Sequence, residues 1–312
     1  MTWLRRSVRT PYSAPVVLAK REGMGHSELL DAQARGVSFP LTAARTRDRT
    51  AMSDIAISVS DGVQLLRLTR PAKKNALTAD MYAAFATALE EGDADDDIAV
   101  HVFLGSEGVF TAGNDIADFM AAAENGRLDE QVFIFMKALV GSQKPIVAGV
   151  DGLAVGIGTT MLMHCDLAYA SETAQFRTPF LDLGLIPEAG SSLLMPPQLG
   201  HVRAFELLCL GAPFDAEQAL KAGLVNRVVP GAELEDATLQ AARAVAAKPR
   251  HALYTARRLL KGDRAALMAR IDEEAQIFEE CLKSPEAREA FQAFLEKRKP
   301  DFERARREAA DA

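Results

Sequence analysis

Cysteine is scarce in this chain: three among 312 residues, Cys165, Cys209 and Cys281, odd in number and far apart. That spacing excludes a disulfide framework and offers no metal-ligand pattern. We expect buried free thiols, no bound metal and a reducing, cytoplasmic compartment. Long apolar runs are also missing. Hydrophobic residues make up 48% of the chain, yet Lys, Asp or Gly breaks the longest stretches before the roughly 18 residues that a membrane helix needs. Positive charge is not in excess either. The 36 Lys and Arg face 43 Asp and Glu, for a formal net charge of −7. That is the wrong sign for a nucleic-acid surface. What remains is a globular chain large enough for one sizeable domain or two small ones.

Residues 1–51 have little in common with the rest. Arg recurs, from Arg5 to Arg49, and no apolar period holds. A disordered extension is expected over 1–51, with Met52 as a possible second start. An import leader is the alternative. The missing amphipathic helix and the interrupting Glu22, Glu28, Asp31 and Asp48 speak against it.

Order begins at Ile55. Ile55, Ile57 and Val59 alternate with smaller residues, Asp61-Gly62 signals a tight turn, and Val63–Leu68 returns. This predicts a hairpin. Thr78 is placed to cap a helix through Met81, Phe85 and Leu89. The acidic run Asp93, Asp95, Asp96, Asp97 reads as a solvated loop. A strand over Ile98–Leu104 follows, and then Gly108-Val109-Phe110-Thr111-Ala112-Gly113-Asn114-Asp115-Ile116. A helical pattern begins there with Ile116, Phe119, Met120 and Ala123. A strand that turns through Gly into a helix leaves backbone N–H groups without partners. Such groups suit a reaction that places negative charge on an oxygen. Taken alone, this stretch reads first as an ordinary strand-to-helix turn.

A helix over 129–142 and a buried strand, Ile146–Val150, lead to a second Gly-rich turn. It reads Asp151-Gly152-Leu153-Ala154-Val155-Gly156-Ile157-Gly158-Thr159-Thr160. Strands near Asp166–Ala170 and Ala174–Pro179 precede a loop over Phe180–Gly190. Beyond Leu234 the pattern is helical to the end. Strands alternating with helices predict an α/β fold with a C-terminal helical region. Domain limits are expected at 52–250 for the core and 251–312 for the helices.

The two Gly-rich turns, with Lys73-Lys74-Asn75-Ala76-Leu77 and the Ala219–Val229 stretch, resemble the crotonase (enoyl-CoA hydratase/isomerase) superfamily in one collinear order over about residues 53–300. The resemblance implies a spiral of ββα units, a C-terminal region that trimerises, and a homotrimer or dimer of trimers. It implies an acyl-CoA substrate and no cofactor beyond the coenzyme A that the substrate carries. It puts the thioester enolate on the N–H groups of Asn114 and Ile157. Ile157 departs from the family's usual Gly and is expected to narrow the pocket or shift its backbone.

The family's two hydratase glutamates match Thr160 and Phe180 here, and neither can act as a base. The loop around Pro187-Glu188-Ala189-Gly190 instead resembles the Δ3,Δ2-enoyl-CoA isomerase branch, whose single catalytic glutamate falls on Glu188. Apolar neighbours would push its pKa toward neutrality. Taken alone, Glu188 reads equally as a loop carboxylate or as part of a helix start. By the same resemblance Ala72, Lys73, Ala76, Ala112, Gly113, Asn114, Asp115 and Ile116 would meet substrate or CoA. Capping the following helix is the simpler role for Asp115. His164 reads as a core histidine and Asp182 as a possible second carboxylate. Lys297 and Lys299 are candidates to reach a neighbour's CoA or simply end a charged helix. Phe119, Phe133 and Met136 are expected to set pocket depth. The expected activity is a 3-to-2 shift of an enoyl-CoA double bond. A weak or broad hydratase, or an acyl-CoA-binding protein without turnover, is the alternative.

Overall fold

The protein is described by a computed structural model that covers residues 47–52, 54–106 and 108–310. Most of the expected 1–51 extension lies outside those residues. Its last five residues do not. Arg47–Met52 form strand β1, paired antiparallel with β2, Ile55–Ser60. A strand thus lies within the stretch expected to be an extension. The sequence Arg-Asp-Arg-Thr-Ala-Met holds no hydrophobic alternation, so no local signal marks the strand. The hairpin of β2 with β3, Val63–Leu68, turns at Asp61 and Gly62, both at positive φ. That is the geometry an Asp-Gly pair favours.

Helix α1, Ala79–Ala94, starts at Thr78, whose hydroxyl accepts from Met81 N. Asp93 belongs to this helix and not to a solvated loop. Its carboxylate accepts from His101 Nε2 and from the Gln143 and Lys144 N–H groups. Strand β4, Val100–Leu104, and strand β5, Ile146–Val150, are buried at every position. This explains their unbroken apolar runs, since both faces are covered. Helices α2, Ile116–Asn125, and α3, Glu130–Gly141, lie between them in sequence.

A short strand β6, Leu153–Val155, enters helix α4, Ile157–Thr160, which tightens into a 3₁₀ turn over Met161–His164. Then come β7, Leu167–Ser171, and β8, Gln175–Arg177. Helices α5, Ser191–Leu199, and α6, His201–Leu208, precede β9, Phe214–Asp215. Asp215 and Gln218 form a capping box at the start of α7, Ala216–Ala222, and Gly223 ends it in the left-handed region. Strand β10, Arg227–Val229, closes the large sheet.

That sheet has seven strands in the order β1-β2-β3-β4-β5-β7-β10, and parallel pairing runs from β3 onward. A second sheet, β6-β8-β9, stands apart from it. Helix α8, Leu234–Ala246, covers one face of the large sheet, where Val63, Val102, Leu104 and Val147 pack with Ala242. The main core fills the other side. Helices α9, Arg250–Lys261, α10, Arg264–Leu282, α11, Pro285–Leu295, and α12, Phe302–Ala310, complete the chain. Residues 44–312 cluster as one compact unit. The C-terminal helices are part of it: α10 packs on α3, and α11 packs on α2 and on the 3₁₀ turn Leu181–Leu183.

Candidate active site

The two Gly-rich turns lie side by side. Thr111 N donates to Leu153 O and Val155 N donates to Thr111 O, at 2.9 and 3.0 Å. Gly113 (φ 86°) approaches so closely that a Cβ there would sit 2.8 Å from Val155 O. Gly158 is equally constrained, because its Cβ would meet the Thr111 methyl at 2.5 Å. These contacts require glycine for space, and at Gly113 for conformation too. Leu77 N and O bond to Gly113 O and Asp115 N on either side of Asn114, leaving the Asn114 N–H with no acceptor among the described residues. The Ile157 N–H, at the first position of α4, has none among the described residues either. Gly156 takes the positive φ of the second turn, so Ile157 itself carries no backbone strain. Its side chain is 2% exposed and forms part of the cavity wall.

A buried amide supports the first turn from below. Asn75, in the left-handed region at φ 54°, donates to Val109 O, while its own carbonyl accepts from the Thr111 hydroxyl. Tyr82 on α1 donates to Asn114 Oδ1. Asp115 caps α2 through Ala117 N and pairs with Arg70 at 2.6 Å, in agreement with the capping role.

Glu188 lies opposite. It is 7% exposed, and Thr160 Oγ1 donates to its Oε1 at 2.6 Å. Oε2 has no partner. Burial pushes the carboxyl up to about 8, against the pull of the Thr160 bond; the nearby Glu274 carboxylate adds to the rise. The chain leaves Glu188 through Ala189 (φ 59°) and Gly190 (φ 71°). An alanine in the left-handed region costs about 1–2 kcal/mol, and surrounding bonds hold it there. Ser191 Oγ donates to Glu188 O at 2.6 Å, and Ala189 O bonds His164 Nε2 at 2.7 Å. His164 is a core residue as expected, and burial takes it down to about 4. From α10, Glu274 accepts from Gly190 N, Ser192 N and Ser192 Oγ. The C-terminal helices therefore grip the turn that carries Glu188.

A cavity of about 370 Å³ brings these groups together. Ala112, Gly113, Asn114, Ile116, Ile157 and Glu188 line it. Lys73, Ala76 and Asp115 do not. Lys73 is exposed at the end of a 3₁₀ turn, and Asp115 is held by Arg70. Phe180 is an apolar part of the wall, and Phe119 and Met136 join it; Phe133 does not. Phe278 of α10 and Phe291 and Phe294 of α11 complete the wall. The boundary expected at residue 250 therefore falls between two parts of a single site. Asp182 reaches the rim already paired with Arg177 at 3.1 Å. Arg298 lines the cavity in place of the neighbouring Lys297 and Lys299. Tyr82 and Glu274 were not foreseen, since nothing local marks either position.

A family model described as enoyl-CoA hydratase/isomerase matches residues 58–305. The chain belongs to the enoyl-CoA hydratase/isomerase family. Among its relatives, 2,3-dehydroadipyl-CoA hydratase of Escherichia coli is 34% identical over 80% of this chain and 99% of that protein. Enoyl-CoA delta isomerase 2 of Rattus norvegicus is 33% identical over 70% of this chain and 57% of that protein. The crystal structure of an enoyl-CoA hydratase/isomerase from Pseudoalteromonas atlantica superposes with a TM-score of 0.76 at 40% identity. It covers 80% of this chain and all of that one. The fold is the family's crotonase fold with its C-terminal helical region, and the chain is an enzyme of the hydratase/isomerase class. No helix among the described residues is long and apolar enough to cross a membrane.

Proposed function

We propose that this enzyme is a Δ3,Δ2-enoyl-CoA isomerase with Glu188 as its only acid–base group. One observation carries the proposal. A buried carboxylate with one oxygen unpartnered among the described residues lines the same cavity as two residues whose N–H groups have no acceptor there. The thioester oxygen of a 3-enoyl-CoA would accept from Asn114 N and Ile157 N. Glu188 would then take the proton from C2. The C2–H bond breaks, an O–H bond forms, and the electron pair spreads over C2, C3 and C4 and onto the thioester oxygen. Returning the proton to C4 leaves the double bond between C2 and C3 and restores the carbonyl. The shift is redox-neutral and consumes no water, so it asks for no metal or redox cofactor. Coenzyme A would arrive with the substrate, its adenine end near Ala72, Lys73 and Ala76.

A carboxyl held near about 8 serves both half-steps, because a base that must become an acid works best close to ambient pH. Fixed donors at a developing oxyanion supply on the order of 3–4 kcal/mol each. The rival activity is hydration of a 2-enoyl-CoA, favoured by relatives named as hydratases. Against it stand Thr160 and Phe180, which put no carboxylate at the two positions matched to the hydratase glutamates, while Asp182 at the cavity is paired with Arg177. The crotonase likeness further suggests a homotrimer or a dimer of trimers.

A side-by-side assay decides between the two activities. Purified protein is given a 3-enoyl-CoA and a 2-enoyl-CoA of equal chain length, and the absorbance of the conjugated thioester is followed. A rise with the first and no fall with the second is expected. A fast fall with the second would overturn the isomerase reading.

A further inference from the structure

Thr160 ends α4 with no exposed surface, and its hydroxyl has one proton to give. Two acceptors lie within reach: Glu188 Oε1 at 2.6 Å and Gly156 O at 3.3 Å. The carboxylate is both the nearer and the stronger acceptor. No other side chain or N–H among the described residues donates to the Glu188 carboxyl, and Oε2 is left vacant. The two oxygens of one carboxyl are therefore unequal before any substrate arrives.

We propose that Thr160 is a positioning residue: its hydroxyl anchors Glu188 Oε1 and so dedicates Oε2 to both proton transfers. This rests on the isomerase function proposed above. The terminal torsion of a glutamate is broad and roughly two-fold, so an unanchored carboxyl presents either oxygen. With Oε1 held, the proton taken from C2 stays on Oε2, the atom that must then deliver it to C4. The anchor survives protonation, because Oε1 remains an acceptor when the proton sits on Oε2. Thr160 stands where the family's hydratases carry a glutamate. A carboxylate there would face Glu188 with like charge, and an aliphatic side chain would leave Oε1 without a donor. A hydroxyl avoids both.

The other charged and titratable groups around Glu188 act at longer range. Glu274 on α10 bonds the Gly190–Ser192 turn, and Arg270 bonds Ser192 Oγ. Tyr82 on α1 keeps its proton, since burial and the neighbouring carboxylates raise it. His164 stays neutral at working pH. The Arg177–Asp182 pair and Arg298 stand at the cavity rim. Removing the Thr160 hydroxyl thus isolates one local contact.

The test compares wild type with Thr160→Val and Thr160→Ser. The protonated Glu188 carboxyl is titrated by infrared difference spectroscopy, its band assigned by its loss in Glu188→Gln. Rates are measured with a 3-enoyl-CoA across the same pH range. In Thr160→Val the midpoint should rise from about 8 by roughly one pH unit. Its kcat should fall at least about tenfold with KM within about twofold. Thr160→Ser should restore both. Thr160→Ala carries the same expectation should the valine variant not fold. A valine variant with unchanged midpoint and kcat overturns the role of Thr160 while leaving the isomerase reading intact. A wild type that shifts no double bond sinks that reading, and the infrared midpoint still reports whether Thr160 anchors Oε1.

Discussion

Glu188 and Glu289 are 7% and 5% exposed, yet they hold their protons in opposite ways. Glu289, on α11, is reached by the Arg298 guanidinium, the Asp301 N–H and the Arg304 guanidinium. These donors, Arg298 foremost, hold it down at about 2. Among the described residues Glu188 is bonded by one hydroxyl and paired with no cation, so burial dominates and pushes it up to about 8. Little exposure by itself does not decide the charge of a carboxyl; the donors that come with it do. Donors fill both oxygens of Glu289 and make it a structural tie between α11 and the chain that follows. The vacant Oε2 of Glu188 leaves it free for chemistry.

Glu188→Gln should break the comparison most severely. It keeps the shape and removes the base, so kcat for the double-bond shift should drop by about 10²–10⁴ with thermal stability retained. Glu289→Gln should do the reverse, lowering Tm with kcat within a few-fold of wild type. Steady-state assays and thermal melts of both variants check this.

The pH dependence of stability should separate the same two residues. The folded pKa of Glu188 lies above the ordinary 4.5. Its protonated form favours folding, so its contribution is complete below about 4.5 and declines as pH rises toward 8. Glu289 is depressed, so its contribution is complete above 4.5 and is lost as pH falls toward 2. Denaturant unfolding should therefore show Glu188→Gln flattening the decline between 4.5 and 8, by a few kcal/mol at most. Glu289→Gln should flatten only the acid limb.

Glu274→Gln probes the grip on the Glu188 turn. It weakens bonds to Gly190 N and Ser192 and removes a negative charge near Glu188. We expect kcat to fall by roughly tenfold and the infrared midpoint of Glu188 to move down. An upward move would contradict the electrostatic account. The smallest effect is expected from Asp115→Ala. Asp115 resembles Glu289 in having its oxygens filled, by a helix N–H and by Arg70. Losing the cap should cost about 1 kcal/mol, or roughly 2–4 °C in Tm, with little change in kcat.

The hairpin at Asp61-Gly62, the buried strand Ile146–Val150 and both Gly-rich turns were legible in the chain, because periodicity and turn glycines are local signals. Strand β1 was not: its partner β2 follows directly in the chain, but the sequence Arg-Asp-Arg-Thr-Ala-Met holds no hydrophobic alternation to mark it. Asp93 looked like a solvated charge, yet it holds a loop some fifty residues away in sequence. Glu188 was legible only through its neighbours in a motif. Tyr82 beneath Asn114 carried no mark at all.

By itself the sequence determined most of the order of the elements, the glycines that open both turns, and the lack of a carboxylate at 160 and 180. These follow from residue identity and short-range sterics. The tertiary structure alone decided that two backbone N–H groups and one half-satisfied carboxyl share a cavity. It also decided that the C-terminal helices hold the loop that carries this carboxyl. The physical reason is that a carboxyl's charge state depends on which donors reach it and how much water is removed. Thr160, 28 residues from Glu188, and Glu274, 84 residues from the Gly190 it binds, meet that turn only when the whole chain has packed.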